Sequence, residues 1–140
     1  KGPLGYFVPR TPFRDSVLVA TGTGVAPFRA FLQDPGIREG GAEVVLLMGA
    51  RYEEGLLYRG EFEQMAEEHN GFRYLPTVTR PGAAWQGRTG RVQEHLEEAV
   101  GGRKDVDVYI CGLKAMVNEV RALLLEQGFE KRQIIFEKYD

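Results

Sequence analysis

A three-layer α/β domain on a five-stranded, doubly wound parallel sheet is what this sequence predicts, and two observations carry that prediction. Five short apolar runs are unbroken rather than alternating, as strands buried on both faces must be. Between them lie segments whose apolar residues recur at helical spacing. Strand–helix–strand crossovers are right-handed and lay such strands parallel, with helices on both faces. At 140 residues the chain is long enough for one such domain and short for two.

The elements follow in order. "SVLVA", Ser16 to Ala20, is a buried strand ending at Thr21-Gly22. Pro27 is tolerated in the first turn of the next helix, where its missing N–H is no loss. Phe28, Phe31 and Leu32 share one face of that helix, and "DPG" at Asp34 to Gly36 ends it. Ala42 to Ala50 is the second strand, and Arg59 to His69 the second helix, with Phe62, Met65, Ala66 and His69 on its stripe. Phe72 to Thr79 is the third strand, although Pro76 cannot donate to a ladder in its middle. After the loop Arg80 to Gly90, Val92, Leu96, Ala99 and Val100 mark a helix. Val106 to Cys111 is the fourth strand. A helix bearing Leu113, Met116, Val117, Val120, Leu123 and Leu124 then runs to about Gly128, and Gln133 to Tyr139 is the fifth strand.

Totals exclude several classes. With 27% charged residues and a net charge of -2, the chain has no basic excess for nucleic acid and no acidic tail. No apolar run approaches the ~20 residues that span a bilayer, and no signal-peptide pattern opens the chain. One cysteine, Cys111, precludes an internal disulfide or a cysteine-cluster metal site, and no metal is expected. A cytoplasmic setting is the expectation. The opening "KGPLGYFVPRTPF" reads as a loop running out of another unit, with a cloning remnant at "GPLG" as the alternative.

In open parallel sheets, ligands bind outside the carboxyl ends of the strands. That singles out Thr21-Gly22-Thr23-Gly24, Gly49-Ala50-Arg51, Thr79-Arg80, Cys111-Gly112 and Glu137. A Gly-x-Gly between strand and helix allows a tight turn whose N–H groups face an anion, and plain turn glycines are the competing reading. No lysine with Ser or Thr follows, so this is not a P-loop. Pro27 stands where a dinucleotide turn often has a third glycine, and no acid ends the second strand to hold a ribose. Arg51 there suits a pyrophosphate or a 2′-phosphate. Arg80, Arg88 and Arg91 share one loop and offer charge-assisted contacts to a phosphomonoester, or are a solvated basic loop. By base rate Cys111 is an inert strand residue. Trp85 is either a packing anchor or a lid. His69 and His95 are assigned no role.

Taken together the motifs resemble the ferredoxin–NADP reductase superfamily. "GTGVAPFRAFL" is similar to its Gly-Thr-Gly-x-x-Pro segment and "MGARYEEGLLYRGEFEQM" to its second strand and turn. "YICGLKAMV" matches its Cys-Gly segment, "FEKY" its acidic-aromatic terminus, and "GPLGYF" the end of its flavin-domain linker. The resemblance spans the whole chain in order and implies a Rossmann-like NAD(P)-binding domain over residues 15–140. Residues 1–14 would be the linker from a flavin domain lying outside this sequence.

It further implies residue roles. Thr21, Gly22, Thr23 and Gly24, with Pro27 behind them, would lie along the pyrophosphate and ribose, and Thr23 would approach the nicotinamide. Cys111, preceding Gly112, would sit beside the reactive ring carbon, with Glu137 as a nearby carboxylate and Tyr139 as an aromatic covering the flavin. Thr79-Arg80 occupies the place of a Ser-Arg pair that reads a 2′-phosphate. Arg91 replaces a tyrosine that stacks on adenine, and Gln93 matches an adenine-contacting glutamine. NADP(H) is the preferred nucleotide, with NAD(H) possible, and FAD or FMN belongs to the missing barrel. Partners would be that flavin domain, in the same or a separate chain, and an electron carrier or oxygenase component. The alternatives are a free-standing nucleotide-binding or electron-transfer subunit, and a structural domain that binds no dinucleotide.

Overall fold

The computed structural model describes residues 7–139, so the "GPLG" reading falls outside it. Six strands form one all-parallel sheet: β1 (Ser16–Thr21), β2 (Val44–Ala50), β3 (Phe72–Val78), β4 (Arg88–Thr89), β5 (Asp107–Leu113) and β6 (Ile134–Tyr139). Their spatial order is β4-β3-β2-β1-β5-β6. The helices are α1 (Ala26–Gln33), α2 (Pro35–Arg38), α3 (Arg59–Glu68), α4 (Leu96–Val100) and α5 (Lys114–Glu126). Strand boundaries fall within two residues of those expected.

The sheet has six strands where five were expected. The extra one, β4, is two polar residues in what the sequence marks as a loop, so no apolar run announces it. It exists because Thr77 and Val78 pair with Arg88 and Thr89, and because the Thr77 hydroxyl donates to the Gly90 carbonyl at 2.8 Å. Since β4 reaches no further back than Thr77, Pro76 lies where β3 is still the edge of the sheet, and proline is tolerated there. Two other refinements are local. The Asp34 carboxylate ends α1 by accepting the Gly36 N–H at 2.8 Å, which opens the single turn of α2. The segment from Val92 begins as a tight 3-10 turn, Val92–His95, before α4.

Strand residues alternate strictly between two cores. Val17, Val19, Leu47, Val108 and Ile110 pack with Leu96 of α4 and Val117, Val120 and Leu124 of α5. Leu18, Ala20, Leu46, Met48, Tyr109 and Cys111 pack with Phe28 and Phe31 of α1 and Phe62 of α3. Burying each large apolar side chain contributes about 1.5–3 kcal/mol, so the helical layers on both faces stabilise the sheet between them. Residues 7–14 lie along the α1 face. The Phe7 ring sits 5.8 Å from Phe28 and 5.9 Å from Phe31, Phe13 stacks on Tyr109 at 5.9 Å, and the Arg10 N–H donates to the Tyr109 hydroxyl at 3.0 Å.

The amino edge of the sheet is tied by charge. Arg103 reaches Asp15 at 2.9 Å, Glu43 at 3.2 Å and Asp105 at 2.8 Å. The Glu43 backbone N–H, followed by Arg103, holds the Asp15 carboxyl below its ordinary value. Arg88 does the same to Glu98. Both groups are therefore more acidic folded than unfolded, so their contribution is complete above the unfolded value and is lost as pH falls through the folded one. We expect the urea midpoint to hold steady from pH 7 to about 5 and to fall below about 4.5. The fall should be shallower in Asp15→Asn/Glu98→Gln; identical slopes in the two proteins would remove these carboxylates as the cause.

Candidate functional site

Strand order reverses between β1 and β5. From β1 the chain builds outward through β2, β3 and β4, then returns to lay β5 and β6 on the other side. A crevice opens at the carboxyl tips where the two directions diverge. There the structure has a cleft of about 750 Å³, lined by Thr21, Gly22, Thr23, Arg51, Thr79, Arg91, Gln93 and Tyr139 among the residues singled out from sequence.

Beneath the cleft the two halves of the sheet touch through glycines. The Gly22–Val25 turn is a single 3-10 turn between β1 and α1. At Gly24 a Cβ would stand 2.3 Å from the Cys111 carbonyl oxygen and 3.1 Å from the Gly112 Cα, a distance only glycine permits. At Gly22, φ is +56° and nothing stands within 4 Å of the position a Cβ would take, so its backbone is open to the cleft. Pro27 is the second residue of α1, in the first turn as expected.

Cys111 has no exposed surface and belongs to the α1-side core. Its thiol donates to the Tyr139 hydroxyl at 3.3 Å, and Tyr139 is the member of that pair that lines the cleft. Burial, and then the bond from Cys111, push the Tyr139 hydroxyl well above its ordinary value, so the group stays protonated at neutral pH. Glu137 pairs in register with Cys111 across β5 and β6 and is half-buried outside the cleft lining.

The arginines divide. Arg51 and Arg91 line the cleft. Arg80 is exposed beside it, its backbone N–H donating to the Arg51 carbonyl at 2.7 Å. Arg88 is not available to a phosphate as the loop composition suggested. Its guanidinium grips Glu98 through two bonds, at 2.9 and 2.5 Å, and so fastens β4 to α4. Trp85 is the packing anchor. Its indole N–H donates to the Arg88 carbonyl at 2.8 Å, and the Arg59 guanidinium lies 4.9 Å over its ring.

The cleft also holds residues not singled out from sequence. Tyr52 and Glu54 follow β2, and Leu113 ends β5; widening the strand-end rule by two or three residues would have found them. Glu119, on the second turn of α5, accepts the Gln93 side-chain N–H at 2.6 Å, and nothing local in the sequence marks it. Among the described residues no group of three or more His, Cys, Asp or Glu is placed to hold a metal, and no helix is long and apolar enough to cross a membrane.

A bare glycine turn at the switch point of a parallel sheet, with two arginines and an amide lining the same cleft, suits a long anion ending in flat rings, which is the shape of a dinucleotide. The class is a dinucleotide-binding α/β domain. Residues 18–122 match the oxidoreductase NAD-binding domain family, and the chain belongs to it, as the nucleotide-binding domain of the ferredoxin–NADP reductase type. It is 40% identical over 149 aligned positions to ferredoxin–NADP reductase B of Sorangium cellulosum, covering 99% of this chain and 60% of that protein. The electron transfer component of anthranilate 1,2-dioxygenase from Acinetobacter baylyi is 30% identical, over 99% of this chain and 40% of that protein. A ferredoxin NADP+ reductase from Neisseria gonorrhoeae, solved with FAD and NADP bound, matches with a TM-score of 0.75 at 29% identity, over 89% of this chain and 56% of that one. The chain thus spans between 40% and 60% of each of these proteins.

Proposed function

We propose that this domain binds NAD(P)H for a flavin-dependent reductase whose FAD or FMN sits on a separate barrel domain joined through residues 1–14. Electrons would then pass to a carrier or an oxygenase component. The observation that carries the reading is the contact of the Gly22–Gly24 turn with the Cys111–Gly112 tip under one cleft, which brings a diphosphate cradle and a ring-binding end together.

When bound, the nicotinamide supplies a hydride and the flavin accepts it. The chain's own work is placement. The Thr21–Gly24 backbone lies along the diphosphate, Arg51 meets its charge, and Gln93 faces the adenine. Thr79-Arg80 and Arg91 hold a 2′-phosphate. Thr23 and Tyr139 frame the nicotinamide end, with the buried Cys111 and Gly112 behind them and Glu137 beside Cys111 on the neighbouring strand. The neutral, partly buried Tyr139 hydroxyl, tied to the thiol, offers that end an aromatic wall without a charge.

The arginines favour NADP(H). Glu54 favours a second reading, because a carboxylate just after β2 suits the free ribose hydroxyls of NAD(H). Titrating the chain with NADP+ and NAD+ by calorimetry tests the proposal, which fails if neither binds. In Arg80→Ala we expect NADPH affinity to drop about tenfold or more, the usual loss for a charge-assisted contact, while NADH affinity moves less than about twofold. Equal losses would mean that this loop does not read the 2′-phosphate.

A further inference from the structure

Gln93 is held at its backbone from both sides. Val92 and Leu96 are buried, with Val92 packed on Gly49, and the Glu94 carboxylate accepts the Arg91 N–H at 3.0 Å. What remains to be set is which end of the Gln93 amide meets a ligand. Glu119 sets it. A carboxylate only accepts hydrogen bonds, so the amide must turn its NH2 toward Glu119, as the 2.6 Å Nε2–Oε1 bond shows. Both residues line the cleft, and the bond joins the turn before α4 to α5 across 26 positions of sequence. We propose that Glu119 is a positioning residue that makes the base subsite select a 6-amino purine over a 6-oxo purine, by leaving the Gln93 carbonyl oxygen as the acceptor.

This rests on the dinucleotide reading above. Adenine carries a donor at its 6-position, which the Gln93 carbonyl accepts. Hypoxanthine carries a carbonyl there, and two acceptors face each other. Losing one hydrogen bond in a partly solvated site corresponds to about a fivefold preference for adenine. Comparing NADP+ with its hypoxanthine analogue cancels every contact to phosphate and nicotinamide, since the two ligands differ only along the C6–N1 edge of the purine, where adenine presents a donor and then an acceptor and hypoxanthine the reverse.

The test is calorimetric titration of the 140-residue chain with both ligands, in three proteins whose folding is checked by circular dichroism. The unaltered chain should prefer NADP+ by about fivefold. Glu119→Gln can offer Gln93 either a donor or an acceptor, so the ratio should fall toward one. Glu119→Lys can only donate, which turns the Gln93 amide around and should invert the preference. A ratio that is near one in the unaltered chain, or the same in all three proteins, overturns the proposal while leaving dinucleotide binding intact. Failure of the unaltered chain to bind either ligand overturns the dinucleotide reading and this inference together.

Discussion

Gly24→Ala is expected to abolish measurable dinucleotide binding and to destabilise the fold by about 2–3 kcal/mol, the upper range for overpacking. The added methyl would stand 2.3 Å from a backbone carbonyl, with the Gly112 Cα 3.1 Å away on the same side. No rotamer change relieves a clash with main chain. Relief requires β1 and β5 to part at their tips, which is where the cleft floor is made. Gly22→Ala is the matched control for stability alone, because its methyl would meet no protein atom and suffers only the αL backbone cost of about 1–2 kcal/mol. Urea titration and calorimetry on both variants separate the effects. A folded Gly24→Ala chain with unchanged affinity for NADP+ would show that the turn and the strand tip need not touch.

Phe28→Ala should carry the largest loss of stability, about 3–5 kcal/mol. Phe28 is fully buried on α1, edge-on to Phe31 at 5.4 Å and beside Phe7 at 5.8 Å. For a domain of this size, that is a fall in melting temperature on the order of 15 °C. The effect should reach the site, since α1 follows the Gly22–Val25 turn directly and a loosened helix loosens the cradle. A melting temperature within about 3 °C of the parent, read by circular dichroism, would refute the packing account.

Much of this architecture could be read from residue order alone, because burial on two faces leaves an unambiguous mark. Runs such as "VVLLMG" and "VYIC" alternate with helical stripes, and the strand-end rule singles out Thr21, Gly49, Arg51 and Thr79, all of which line the cleft. What escaped notice depends on partners distant in sequence. β4 is made by its neighbour's register rather than by its own composition. Arg88, open in sequence between a phosphate contact and a solvated loop, is held by Glu98, ten positions on. Glu119 meets Gln93 only because α5 crosses behind the turn before α4. Local pattern reports what a segment buries; it is silent on which exposed charges find one another.

The reversal of strand order has a thermodynamic corollary. One wall of the cleft comes from the chain up to His95 and the other from residues beyond Asp107, so neither portion holds a ligand until both are seated. An occupant bridging that seam acts as a rivet, and by mass action a hundredfold excess over its dissociation constant adds about 2.7 kcal/mol against unfolding. Melting temperature should therefore climb with nucleotide concentration, a readout that needs neither flavin nor turnover.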